Sequence, residues 1–127
     1  MFFVTPCGTS FEIADDWWHF AEMATFSADG GGYFPYCPSS DGVQVVSCSL
    51  VEPPRRTDGV PAFKKYKLVP VLFAFQSPEC ALPPIRVVET PGGLYRYRVA
   101  NGYHRYYASI AAGYQSIPVI VQAASIG

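Results

Sequence analysis

Along the chain, short apolar runs alternate with segments rich in Gly, Pro and Ser. Ser10–Ile13 has the length of a short strand, and Trp17, Phe20, Ala21 and Ala24 then recur at helical spacing. Asp15 stands where an N-cap belongs, so the pattern predicts a helix from about Asp16 to an end near Phe26. Ala28–Gly42 (ADGGGYFPYCPSSDG) is a loop by composition, and its GGG lacks the GK[ST] of a phosphate loop. Gln44–Val51 alternates as a strand, and Glu52–Pro61 (EPPRRTDGVP) reads as a second loop. Tyr66–Phe75 is predicted as a strand, with Pro70 marking an edge or a bulge. After the turn-rich link Ser77–Pro84, Ile85–Glu89 and Leu94–Ala100 read as a hairpin closed by Thr90–Gly93. A helix over Tyr103–Ala112 follows, stopped by Gly113, and Ile117–Val121 is the closing strand. This order predicts an α+β fold: a single domain over 1–127, with a small mixed sheet or partly open barrel and two main helices.

Composition narrows the classes. The 127 residues suit one domain, and 50% hydrophobic with 16% aromatic residues excludes disorder for the bulk of the chain. No apolar run approaches the ~20 residues of a membrane helix, so no membrane association is expected. The start, MFFVTPCG, lacks the basic region and long apolar core of a secretory signal, which gives a cytoplasmic expectation. Charged residues make up only 15%, a level compatible with apolar surface covered by a protein partner.

Charge is uneven. Residues 1–54 carry seven acids and no Lys or Arg, whereas 55–127 carry all nine basic residues and three acids. Such asymmetry marks either an anion-binding half or two halves that complement each other internally. The net charge of −1 argues against nonspecific DNA binding, which rests on many phosphate neutralisations. Cys7, Cys37, Cys48 and Cys80 are spaced by 30, 11 and 32 residues with no CxxC, so neither a zinc site nor a disulfide is expected. Asp15, Asp16 and His19 admit two readings: a metal cluster, or acids placed at a helix start for dipole reasons.

The sharpest signal is the strand-to-helix junction YRVANGYHRYYASIAAG at 97–113. Asn101 is a plausible cap, Gly102 permits close backbone approach, and Arg105 offers a fork for a phosphate with His104 beside it. Backbone N–H groups and the dipole of a helix start favour an anion there. The alternative is a plain capped helix with a salt-bridged Arg105.

The run Leu82–Val121 resembles the ParB/sulfiredoxin superfamily through LPPIRVVE, GGLYRYRVANGYHRYYASIAAG and IPVIV. Its G-x-[HR]-R-x-x-A hallmark is matched by Gly102, His104, Arg105 and Ala108. The resemblance implies a ParB/sulfiredoxin-like core over 63–127, behind an acidic N-terminal region, 1–62, of unrecognised type. It also implies phosphate contact by Asn101, Gly102, His104 and Arg105, with ATP, ADP or CTP as ligand and Mg²⁺ accompanying the nucleotide. Departures are visible. Tyr103 stands where sulfiredoxins carry their reactive Cys, and specific DNA binding is not expected, since only six residues follow Val121 where ParB proteins continue into a helix-turn-helix. Only Gln76–Pro84 separates Phe75 from Ile85, too short for the helix that usually precedes the second family strand; the Trp17-Trp18 helix is a candidate substitute wall.

Two function classes follow. In the first the chain is a nucleotide- or phosphate-binding protein. As an enzyme it would be a nucleotide-dependent phosphotransferase or a ParB-like nuclease or phosphodiesterase, with Glu79 and Glu89 as the acids available for chemistry. In the second it is a noncatalytic interaction module, whose Tyr95, Tyr97, Tyr103, Tyr106 and Tyr107 form either a sticky face or ordinary packing.

Overall fold

The computed structural model describes residues 1–26, 42–55, 63–76 and 84–122. Glu79, Cys37, Cys80, the loop over 28–41 and most of the link 77–84 lie outside the described residues. In chain order the elements are β1 Phe2–Val4, β2 Ser10–Glu12, α1 Asp15–Phe20, β3 Val43–Ser47 and β4 Val51–Glu52. Then come α2 Lys65–Phe75, β5 Ile85–Glu89, β6 Tyr97–Asn101, α3 Tyr103–Ala112 and β7 Ser116–Val121. The α+β expectation holds: among the described residues there are three α-helices and a curled five-stranded sheet, and strands β1 and β2 form a separate antiparallel pair.

The sheet order is β3-β7-β5-β6-β4, with β7/β5 and β6/β4 parallel and the other two pairs antiparallel. Its curl follows from one connection. Strands β3 and β4 lie at opposite edges, yet only a 3₁₀ turn, Cys48–Leu50, joins them. Four Cα steps reach at most roughly 14 Å. Five flat strands would hold the edges about 19 Å apart. The sheet must therefore bend into a half-barrel for Ser47 to meet Val51. The strand expected over Gln44–Val51 is broken at this turn, where the Ser47 hydroxyl accepts from the Ser49 N–H at 3.3 Å.

The largest correction concerns 66–75, which is the helix α2 and not a strand. Its buried residues Leu68, Val69, Val71, Leu72 and Phe75 fall at i, i+1, i+3, i+4 and i+7, one face of a helix. Pro70, the sixth residue of the helix, lies on the exposed side, so the Tyr66 carbonyl loses its donor while the buried face stays intact. A full helix therefore precedes the link to Ile85–Glu89. A smaller correction concerns α1, which starts at Asp15 behind Ala14 and stops at Phe20. Glu22 takes a left-handed φ of 59° and breaks it, and Met23–Thr25 continues as a 3₁₀ turn. The return strand of the hairpin starts at Tyr97; Thr90 N–H reaches the Arg96 carbonyl at 2.9 Å, so the connection is longer than Thr90–Gly93.

The core lies between the sheet and the helices. Ile85, Val87, Ile117 and Val119 from the central strands meet Leu68 and Leu72 of α2 and Tyr106 and Ala108 of α3, all fully buried. Each such aliphatic side chain contributes roughly 1.5–3 kcal/mol by leaving water. The N-terminal residues share the same cluster: Phe11 packs edge-on to Tyr107, with ring centroids 4.9 Å apart, and Trp18 and Ile13 are buried with it. Tyr97, Tyr106 and Tyr107 are core residues, with exposures of 2%, 0% and 2%, so the five tyrosines do not make one exposed face. Among the described residues no helix is long and apolar enough to cross a membrane.

Candidate functional site

The site grows from the end of β6. Opposite Arg86 and Val87 the register of β5 with β6 shifts, pairing Arg86 with Asn101 and Val87 with Val99 and leaving Ala100 as an extra residue. Such a bulge turns the strand end out of the sheet. Gly102 then takes φ +130°, and α3 begins at the next residue. A side chain at this position has no room: a Cβ on Gly102 would stand 2.5 Å from Ile85 Cγ2 and 2.8 Å from Ile85 Cβ. The glycine lets the helix start sit directly on β5. Asn101 is not the cap; Gly102 holds that position and offers no side-chain hydrogen bond. At the far end Gly113, at φ +94°, closes the helix. Its N–H bonds the Ile110 carbonyl and the Tyr114 N–H bonds the Ser109 carbonyl, both at 3.1 Å.

A cavity of about 530 Å³ opens at this helix start. That volume is within the usual range of ligand sites. The strand end and first helical turn, 99–105, form one side; Lys67 and Val71 of α2 and Pro54, just after β4, form the other. The structure thus brings together Asn101, Gly102, His104 and Arg105, and adds Lys67. Lys67 had no place in a reading that made its segment a strand; a three-to-four-residue period over 66–75 was the signal that would have found it. The wall is α2, and no residue of α1 lines the cavity.

The chemistry is cationic. Arg105 lines the cavity while its Nη1 donates to the Pro84 carbonyl at 2.9 Å, fixing the guanidinium against the start of β5. His104 Nε2 accepts the Lys64 backbone N–H at 3.1 Å, so the neutral ring carries its proton on Nδ1. Burial, then the charges of Lys67 and Lys64, hold the His104 pKa below the ordinary 6.5. No carboxylate lines the cavity among the described residues. Glu89 lies at the other end of the hairpin, paired with Tyr97 and exposed, and is not a lining residue. Tyr107, behind the first turn, donates its hydroxyl to the Pro54 carbonyl and so ties the opposite wall to α3. A second cavity of about 460 Å³, lined by Glu52, Arg55 and Arg98, shares Pro54 and Val99 with the first.

Asp15, Asp16 and His19 form no metal cluster; among the described residues no three His, Cys, Asp or Glu converge. Asp15 instead meets the N-terminal amine at 2.5 Å. Two thiols differ sharply. Cys7 is exposed in the β1–β2 turn, and hydrogen bonds from Thr5, Thr9 and Tyr95 hydroxyls bring its pKa down to about 6. Cys48 is buried, and burial raises its pKa to about 11.

No protein-family model matches the chain, and no curated protein matches it in sequence. Among solved structures it is similar to the C-terminally truncated chromosome-partitioning protein ParB from Caulobacter crescentus, complexed with CTP-gamma-S. The TM-score is 0.50 at 22% identity, covering 67% of this chain and 46% of that one. The fold is ParB-like. The chain spans about half the length of that neighbour, and likeness at this identity speaks to architecture alone.

Proposed function

We propose that the cavity at the start of α3 binds the phosphate of a nucleotide or a related phosphate ligand. The observation that carries this reading is the convergence of Lys67, His104 and Arg105 on one helix start beside a cavity of about 530 Å³. The positive end of the helix dipole adds to these side chains, and Gly102 keeps the backbone close to the strand below. CTP is the first ligand to test, since the ParB neighbour is complexed with a CTP analogue; ATP and ADP follow. The lining offers a divalent cation no carboxylate among the described residues, so Mg²⁺ here would be held by the ligand's own phosphates and not by a protein cage. No chemical step is assigned, because among the described residues no carboxylate faces the cavity.

Isothermal titration with CTP, ATP, ADP and inorganic phosphate tests the reading. A charge-assisted phosphate contact removed by Arg105→Ala or Lys67→Ala should weaken binding roughly tenfold or more. Equal affinity in wild type and both variants, or no binding of any of these ligands, refutes it.

A further inference from the structure

His104 joins two elements as well as lining the cavity. Its ring lies beside Phe63 and Tyr103, with centroids 5.9 and 5.2 Å away. Its Nε2 takes the backbone N–H of Lys64, the residue that precedes α2 and caps it without a side-chain bond. The first turn of α3 therefore holds the entrance of α2, and α2 carries Lys67 into the same cavity.

That joint depends on one lone pair. A neutral imidazole with its proton on Nδ1 accepts at Nε2; the next proton can go only to Nε2 and removes the acceptor. Burial opposes that proton first, and the Phe63 ring before α2 and the Tyr103 ring of α3 lie against the imidazole; the ammonium groups of Lys67 in α2 and Lys64 just before it then oppose it by charge. Arg105 of α3 lines the same cavity. Among the described residues no carboxylate contributes to the ring's electrostatics. A bound dianion would supply the missing negative charge and reverse the balance.

We propose that His104 is a proton-coupled latch of this cavity: neutral, it fastens Lys64 and the start of α2 to α3; protonated, it lets Lys64 go and faces the anion as a cation. The proton comes from solvent and ends on Nε2, and no covalent bond between heavier atoms changes. The coupling to ligand rests on the phosphate-binding reading, whereas the latch itself does not. The sign is definite. The folded ring titrates below the 6.5 of a free imidazole, so its contribution to stability is complete above that pH and is lost as pH falls below it.

The test is an NMR titration of the wild-type chain from pH 8 to 5 in chloride, following the His104 ring and the Lys64 amide. The Lys64 amide should titrate with the midpoint of the His104 ring, below 6.5, and His104→Gln should abolish that titration. A Lys64 amide that stays flat while the ring titrates overturns the latch, and needs no variant to fold. A second arm adds sulfate, whose charge is constant over this range. Where sulfate binds, the shared midpoint should rise by about half a unit or more, a threefold shift in proton affinity. Sulfate binding with an unmoved midpoint overturns the coupling. Sulfate that perturbs no amide of the cavity counts against the phosphate-binding reading instead, and the chloride arm alone then decides the latch.

Discussion

Gly102→Ala probes the junction on which the site is built. The backbone there has φ +130°, a region that L side chains rarely adopt, and holding an alanine in it costs about 1–3 kcal/mol. The new methyl would also lie 2.5 Å from Ile85 Cγ2 and 2.8 Å from its Cβ, on a β-branched side chain that is fully buried. Overpacking of this kind adds about 1–3 kcal/mol. The sum, about 2–6 kcal/mol, takes a large share of the ~5–15 kcal/mol that a domain has. At about 3–6 °C per kcal/mol for a chain of this size, Tm should fall by roughly 6–36 °C. Thermal unfolding followed by far-UV circular dichroism measures it. Ile85→Ala in the same chain removes the Cγ2 contact at 2.5 Å but leaves the 2.8 Å approach to Cβ and the φ strain. The double variant should therefore be less destabilised than the sum of the two singles. A Gly102→Ala protein melting within about 2 °C of wild type, or strict additivity in the double variant, would refute the argument that α3 sits on β5 through a position only glycine fills.

Two further predictions address other parts of the molecule. Pro70→Ala restores a donor to the Tyr66 carbonyl on the exposed side of α2 and should stabilise the protein by about 1–3 kcal/mol in urea unfolding; a neutral or destabilising result would contradict a helix there. Cys7 should alkylate with a midpoint near pH 6 while buried Cys48 stays unmodified at neutral pH, as read by peptide mass mapping; a Cys7 midpoint near the ordinary thiol value of 9 would show that the Thr5, Thr9 and Tyr95 hydroxyls do not stabilise the thiolate.

What the sequence disclosed followed from how local each signal was. The glycine, the helix Tyr103–Ala112 and its stop at Gly113 were legible, because turn and periodicity sit within one stretch of the chain, whereas the cap expected at Asn101 falls on Gly102. The strand Ile85–Glu89 was legible through its apolar run and flanking turn residues. By contrast, YKLVPVLFAF satisfies both a two-residue and a helical period, and Val69, Pro70 and Val71 weight it toward a strand. Burial on one helical face, which depends on α3 and the sheet, decides the matter. With that segment misread, Lys67 could not be placed, although it completes the cation cluster. The contact of Gly102 with Ile85 and the bond from Lys64 to His104 span 17 and 40 residues, beyond any local pattern. The glycine's freedom serves packing on β5 as well as access for a ligand.

The most direct test of the central claim is residue-resolved. Titrating ¹⁵N-labelled protein with CTP should shift amides of Ala100–Tyr106 and of the first turns of α2 around Lys67, with Arg105→Ala suppressing both sets. CTP that leaves these amides unmoved, or that perturbs only the separate cavity between Thr5, Ser47 and Gln115, would contradict a phosphate site at the start of α3.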